Sequence, residues 1–560
     1  MARVTITSQS ISRCQIISTK MKLRLTSLIL SCVSAVCVVQ AAETADEKGY
    51  VTGSFETNTN YYLEDKLTAA TVPDGNFGSN NYLKLDYHNS RFTAGMQLEN
   101  YAPALVGYSS ELAGAELTNF YVNWKDDDFS ITAGSFYEQF GSGLLFRSWE
   151  DRAIGLNNAV MGARLTYSYK GILNMKAIWG APRFGMAYSN TQVKGADLSF
   201  AVSELFNIKN TYVALEGSVL DRYEALNADM SIDGCRPNTT GWSARLNAES
   251  HGFFFKAEYV DAGQKYYYNT SYAGEGQMYF RKRGNAQLVE TGYNGNGLGV
   301  NLSLRRLEWM DSKVVNDASS NVNMLNYVPA LCTQYTYMLT TLHPYGARTG
   351  EISSRFTNSG EIGGQLDVFY NVRRGTWLGG KRGMKLHANF STYHTIAEEG
   401  TFKSGNLLFR DISVDIEKQW TKKFKSTFLW SYQEYTPSYG ASRTTWLSNI
   451  MVADLLYKFN SSLAARMELQ YLVTFEDQKD WMAALLEVSF APHWSLYAAD
   501  MYNHGMTKVH YYNGGFSYSK SRTKIALGYG RYKAGYICSG GVCRQIPAYT
   551  GANLAVTMMF

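Results

Sequence analysis

The carboxyl-terminal stretch Asn553 to Phe560 constrains this chain more than any other. Leu554, Val556, Met558 and Phe560 are apolar, Ala552 continues the set, and Asn553, Ala555, Thr557 and Met559 lie between them. A period of two is the mark of a β-strand with two unlike faces. Soluble domains seldom finish on an alternating strand that stops on a phenylalanine, so the end of the chain points to the wall of a membrane barrel.

Composition agrees with that reading. The 560 residues include 41 tyrosines and only 9 prolines, and aromatic residues make up 14%. Tyrosine joins an apolar ring to a wet hydroxyl, as the interface girdles of a barrel require. Mean hydropathy is nonetheless slightly polar, which suits strands with one face toward water. Against this background Leu554, Val556, Met558 and Phe560 resemble the signal that outer-membrane barrels present to their insertion machinery, an expected partner.

Residues 1–41 read as an N-terminal extension and a secretory signal, with translation expected to start at Met21. Lys22 and Arg24 form the charged start, Leu25 to Val39 the apolar core, and Val39-Gln40-Ala41 the small-residue exit. The leader carries Arg3, Arg13, Lys20, Lys22 and Arg24 and no acid, so the formal charge of +5 belongs to it and the mature chain is neutral. No basic footprint for nucleic acid remains. Beyond the leader no apolar run reaches about 18 residues, so any crossing of a membrane is made by strands. The expected location is the cell outer membrane, with its lipids as the surroundings.

From Tyr50 onward short alternating runs recur, joined by connections that are alternately tight and long. Leu165, Leu246 and Leu469 sit on apolar faces, while Thr166, Asn247 and Gln470 sit on wet ones and are expected to tolerate arginine. Counting strands between the tight turns predicts one all-β domain over 42–560. It is a transmembrane antiparallel barrel of about 24 strands (range 22–26) with both termini on the tight-turn side. Proline cannot sit inside a fully paired ladder. Pro73, Pro103, Pro182, Pro237, Pro329, Pro344, Pro437 and Pro547 accordingly fall in expected outer loops, and Pro492 in a turn.

The connection 310–361 is out of scale with the rest and rich in apolar bulk. Tyr327, Pro329, Leu331, Tyr335, Tyr337, Leu342, His343 and Tyr345 are expected to fold inward and plug a lumen wide enough to need filling. A second unusual stretch sets Arg147, Glu150, Asp151 and Arg152 close together after the glycine-bracketed segment Gly134 to Gly143. These charges suit either a constriction that sorts solutes or a paired network tying the loop to the wall.

At these two stretches the chain resembles a porin-like family of outer-membrane barrels from Bacteroidota that has no assigned biochemical role. Phe140-Gly141-Ser142-Gly143-Leu144 with Glu150-Asp151-Arg152 carries one half of the resemblance. Tyr327-Val328-Pro329-Ala330-Leu331 with His343-Pro344-Tyr345 carries the other, with Cys332 a departure from the pattern. The resemblance implies fold and location and says little about substrate.

Four cysteines follow the leader. Cys538 and Cys543 bracket two glycines and are expected to close on themselves at a loop tip. For Cys235 and Cys332 a bond requires two outer loops to meet, and free thiols are the alternative. No histidine pair has zinc-ligand spacing, no nucleophile elbow or phosphate loop is present, and no metal, cofactor or enzymatic activity is expected. The expected function is passage or gating of an unidentified small solute across the outer membrane. The alternative is a scaffold in surface export holding an exported or periplasmic protein, and a barrel-form lipid-modifying enzyme comes last.

Overall fold

The computed structural model describes residues 49–101, 103–268, 279–316, 323–352, 357–437, 444–539 and 542–560; the expected leader lies outside them. A wall of 24 antiparallel strands closes on itself. In chain order these are β1 (Tyr50–Leu63), β2 (Phe77–Asn89), β3 (Phe92–Tyr101), β4 (Gly114–Lys125), β5 (Phe129–Phe136), β6 (Val160–Tyr169), β7 (Leu173–Phe184) and β8 (Gln192–Ala201). Next come β9 (Thr211–Tyr223), β10 (Asn238–Ser250), β11 (Phe253–Tyr268), β12 (Tyr279–Gly295), β13 (Leu298–Glu308), β14 (Gly360–Val372), β15 (Met384–Ile396) and β16 (Ser404–Gln419). The last eight are β17 (Phe424–Tyr435), β18 (Trp446–Lys458), β19 (Leu463–Val473), β20 (Trp481–Phe490), β21 (Trp494–Tyr502), β22 (His510–Lys520), β23 (Thr523–Tyr532) and β24 (Tyr549–Met559).

The barrel closes at the carboxyl-terminal strand. β24 pairs with β23 and with β1, placing Leu554 between Leu527 and Thr59. Gly53 and Phe560 then exchange backbone hydrogen bonds of 2.8 and 2.9 Å. Residue 53 must be small, because a Cβ there would fall 2.3 Å from the Phe560 ring.

Strand alternation sets the two faces. Trp242 and Leu469 are exposed on the outer face, whereas Ser243 and Arg245 are buried within. Two-residue connections such as His251-Gly252 and Asn296-Gly297 hold positive φ at both positions, the geometry that matches strand twist in a tight hairpin. Replacing Leu165, Leu246 or Leu469 by arginine is therefore expected to cost about 2–4 kcal/mol each near a bilayer midplane, with Thr166→Arg nearly neutral. Denaturant titration in lipid vesicles checks this, and equal costs on both faces would overturn the assignment.

Three expectations need correction. Gln470 faces inward but is 4% exposed and accepts the Leu339 N–H at 3.0 Å, so it is a buried anchor that will not tolerate arginine. Pro182 lies in β7, where the ladder to β8 has already ended at the Gly180↔Val193 pair. Its missing N–H therefore costs no bond on that side. Inward positions are also less uniformly wet than alternation suggested. Ile178, Val193, Leu220, Val260, Ala286, Leu288 and Leu307 face inward and form, with Phe140, Leu144, Leu145 and Phe146, a buried apolar core.

Candidate functional site

The connection after β5 folds inward as two small hairpins, Gln139–Phe140 with Phe146–Arg147 and Glu150–Asp151 with Leu156–Asn157. Its glycines allow close approach: a Cβ on Gly141 would fall 2.6 Å from Arg245 on the inner wall. Glu138 is held by Arg164 Nε at 2.6 Å and Lys176 Nζ at 2.9 Å. Arg152 donates to Glu56 at 2.7 Å, Glu150 at 3.1 Å and Gln97 Oε1 at 3.2 Å. Buried charges need such partners; Arg164, Lys176, Glu56 and Gln97 tie the hairpins to four wall strands, while the Glu150 contact braces the hairpin itself.

The long connection lies between β13 and β14, residues 309–359, and its described residues from 309 to 316 and 323 to 348 follow the inner wall strand by strand. Lys265 on β11 donates to the Trp309 and Asp311 carbonyls at 3.0 and 2.6 Å. Arg305 on β13 donates to the Pro329 carbonyl at 2.5 Å and pairs at 2.8 Å with Glu361 on β14, both side chains almost fully buried. Glu361 also accepts the Tyr345 hydroxyl, and the Tyr345 ring stacks on Tyr393 and Phe409 at 5.2 and 4.9 Å. Leu331 offers its carbonyl to the Tyr393 hydroxyl at 2.7 Å.

Further round the wall, the Tyr335 hydroxyl donates to Asp415 at 2.9 Å. His387 bridges the same Asp415 (2.5 Å) and Asp367 (3.1 Å). Tyr337, Leu339 and Leu342 pack on Leu429, Ile450, Leu472 and Trp481. His343 stacks on Tyr435 and bonds Asp477 at 3.1 Å, in the connection after β19. That hydrogen bond holds the Asp477 carboxyl below its ordinary range. Burial raises the Tyr345 phenol well above its usual value, so it stays a donor to Glu361.

The two connections meet. Arg147 N–H donates to the Leu325 carbonyl at 2.8 Å and Tyr327 N–H to the Gly143 carbonyl at 2.9 Å. Asn158 Nδ2 donates to Met324 at 2.6 Å, and Asn326 Nδ2 donates to Leu144 at 3.2 Å and Met310 at 2.7 Å. The Arg147 guanidinium lies over the Tyr327 ring at 4.0 Å and the Trp149 ring at 4.5 Å. The four charges do not act alike: Glu150 and Arg152 pair, Arg147 stacks, and Asp151 accepts the Ala153 and Ile154 N–H groups.

Sequence reasoning missed the wall side of this assembly. Glu99, Arg183, Arg305, Glu361, Asp367, His387 and Asp415 sit in ordinary strands, and inward charge is common enough in barrels to carry no signal. Cys538 and Cys543 are joined, and Cys235 and Cys332 are free; burial pushes the Cys332 thiol up to about 12. Reduction is expected to add two hydrogens to the peptide containing Cys538 and Cys543, and quantitative alkylation without reductant would contradict the bond. Among the described residues no group of histidine, cysteine and carboxylate side chains could hold a metal ion.

A family model described as "Family of unknown function (DUF6029)" matches residues 21–560. No curated protein matches. Solved structures with a similar strand arrangement include the translocation pore of the P pilus usher PapC, at 9% identity, 91% of this chain, 99% of that one and a TM-score of 0.42. The siderophore receptor PirA from Pseudomonas aeruginosa matches at 9% identity, 92% and 82% coverage and a TM-score of 0.40. The copper transporter OprC matches at 10% identity, 92% and 80% coverage and a TM-score of 0.38.

Proposed function

We propose that this chain, which belongs to the DUF6029 family of unknown function, is an outer-membrane barrel that passes small polar solutes along one side of an internally plugged lumen. The observation that carries this reading is an asymmetry of the inner wall. The anchors of the long connection lie between β9 and the loop after β19, and the first hairpins reach β1, β3, β6, β7, β10 and β11. From β22 through β24 to β1 the inward positions include Asn513, Gly515, Ser517, Ala526, Gly528, Gly530, Asn553, Ala555, Thr557, Asn58 and Asn60. They are small and uncharged, although Glu56, which Arg152 holds at 2.7 Å, and Lys524, in register with Thr557, point the same way. Such a strip favours uncharged polar solutes, because it offers many hydrogen-bonding groups and few fixed charges to bind or repel ions.

Phe560, Met558, Val556 and Leu554 serve in this reading as the insertion signal, and Ala42 begins the mature chain. The test is a pair of measurements on one purified preparation. Small, steady conductance in planar bilayers, with uptake of neutral sugars into vesicles, supports the channel. No uptake, with a polypeptide co-purifying in fixed ratio, would overturn it in favour of export.

A further inference from the structure

The connection between β14 and β15 stands apart on the tight-turn side. Most turns there are two to four residues long, whereas this one spans residues 373–383 and is internally braced. Gly375 N–H donates to the Gly380 carbonyl at 2.7 Å, Gly383 N–H to the Gly379 carbonyl at 2.9 Å, and Thr376 Oγ1 to the Arg373 carbonyl at 2.8 Å. Yet the turn leaves Trp377 93% exposed. A fixed turn that holds a tryptophan away from the protein suits a surrounding in which the ring is not in bulk water.

The turn also leans over the outer face of the barrel. Lys418 Nζ donates to the Leu378 carbonyl at 2.8 Å and lies 4.8 Å from the Trp420 ring. Between the turn and the wall is an open cleft of about 460 Å³ lined by Trp377, Leu378, Met384, Ile416, Trp420 and Phe428. Ile416 and Phe428 project from the barrel on the face that the membrane reading gives to lipid. The cleft therefore opens sideways into the bilayer at its edge.

Charge completes the site. Residues 373–383 carry Arg373, Arg374, Lys381 and Arg382 and no acid; residues 420–425 add Lys422 and Lys423, again with no acid, while Lys425 turns to the inner face. The nearby Glu417 is taken by Lys385 at 3.1 Å and by Lys425 at 2.5 Å. Cations beside an apolar cleft at the membrane edge match one ligand: an anionic headgroup whose glycerol and acyl chain lie against the aromatic residues.

We propose that this cleft binds an anionic glycerophospholipid of the inner leaflet. The arginines and lysines of the turn would bind its phosphate, and Trp377, Trp420 and Phe428 its first acyl carbons. The site rests on the outer-membrane reading, which puts tight turns on the periplasmic side. A lipid held there would fix the height and tilt of the wall beside the anchors on β14, β15 and β16.

The probes are dioleoyl phosphatidylglycerol and dioleoyl phosphatidylcholine, offered at equal mole fraction to the full folded chain in detergent and counted by native mass spectrometry. The wild type is expected to retain phosphatidylglycerol about tenfold more than phosphatidylcholine. The combined Arg373→Gln, Arg374→Gln, Lys381→Gln, Arg382→Gln variant should lose that preference. Dibromo-phosphatidylglycerol should likewise quench tryptophan emission more than its choline analogue, and the combined Trp377→Phe, Trp420→Phe variant should remove the difference. Equal retention of both lipids by a folded, heat-modifiable chain would overturn the lipid site alone. A chain that will not insert into vesicles would overturn the membrane reading and the site with it.

Discussion

Replacing Arg183 by methionine is expected to destabilise the barrel by about 3–5 kcal/mol, the usual cost of stranding one partner of a buried ion pair. Arg183 Nη1 and Nη2 each lie 2.7 Å from one oxygen of Glu99, and the two side chains are 0% and 1% exposed. The third guanidinium donor, Nε, reaches the Gly185 carbonyl at 2.7 Å. Glu99 also accepts from Gln97 and Thr118, both at 2.8 Å. The carboxylate left behind would therefore keep neutral donors and lose its only countercharge among these contacts. The pair joins the tip of β7 to β3, so its loss should loosen the mouth before the wall. A double variant Arg183→Met, Glu99→Gln should recover most of the stability, since it removes both charges. Denaturant titration in vesicles measures both; a cost below about 1 kcal/mol for the single variant would mean that water reaches the pair.

The wall was largely legible in the sequence. Period-two alternation and tight-turn residues are local signals, and β-ladders between sequence neighbours add no long-range ambiguity. The interior was legible only in part, for a physical reason. The apolar bulk of Tyr327 to Tyr345 announces that the long connection packs against something, but composition cannot say what. Its partners lie far away in sequence: Arg305 with Glu361 by 56 residues, Tyr335 with Asp415 by 80, and Asn158 with Met324 by 166. Period-two patterning marks two faces and cannot say that Ile178, Leu220 and Val260 on the inner face are covered by Phe140 and Phe146. The cluster from Arg147 to Arg152 illustrates the same limit. Its charges were plain, but whether each one pairs, stacks or caps depends on where Glu56, Tyr327 and the local turn happen to lie.

Removal of residues 323–348 is expected to leave the wall inserted and to raise single-channel conductance severalfold, together with sensitivity to large antibiotics. The wall should survive because its ladders run between consecutive strands and close through β1 and β24 without help from the connection. The Arg305 to Glu361 pair also stays, both residues being in strands. What goes is the packing of Tyr345 on Phe409, of Leu339 and Leu342 on the wall, and the ties of Tyr335 to Asp415 and of His343 to Asp477. The exposed inner wall then offers Asp367, His387, Asp415 and Asp454 to solvent. Asp454 keeps Arg466 as its partner, but Asp367 and Asp415 share the single His387, so the widened path should favour cations over anions as well as conduct more. The intact channel, limited to a strip with few charges, should show little ion preference. Reversal potentials in a salt gradient separate the two states. An inserted deletion variant with unchanged conductance and unchanged ion preference would mean that the long connection does not set the aperture.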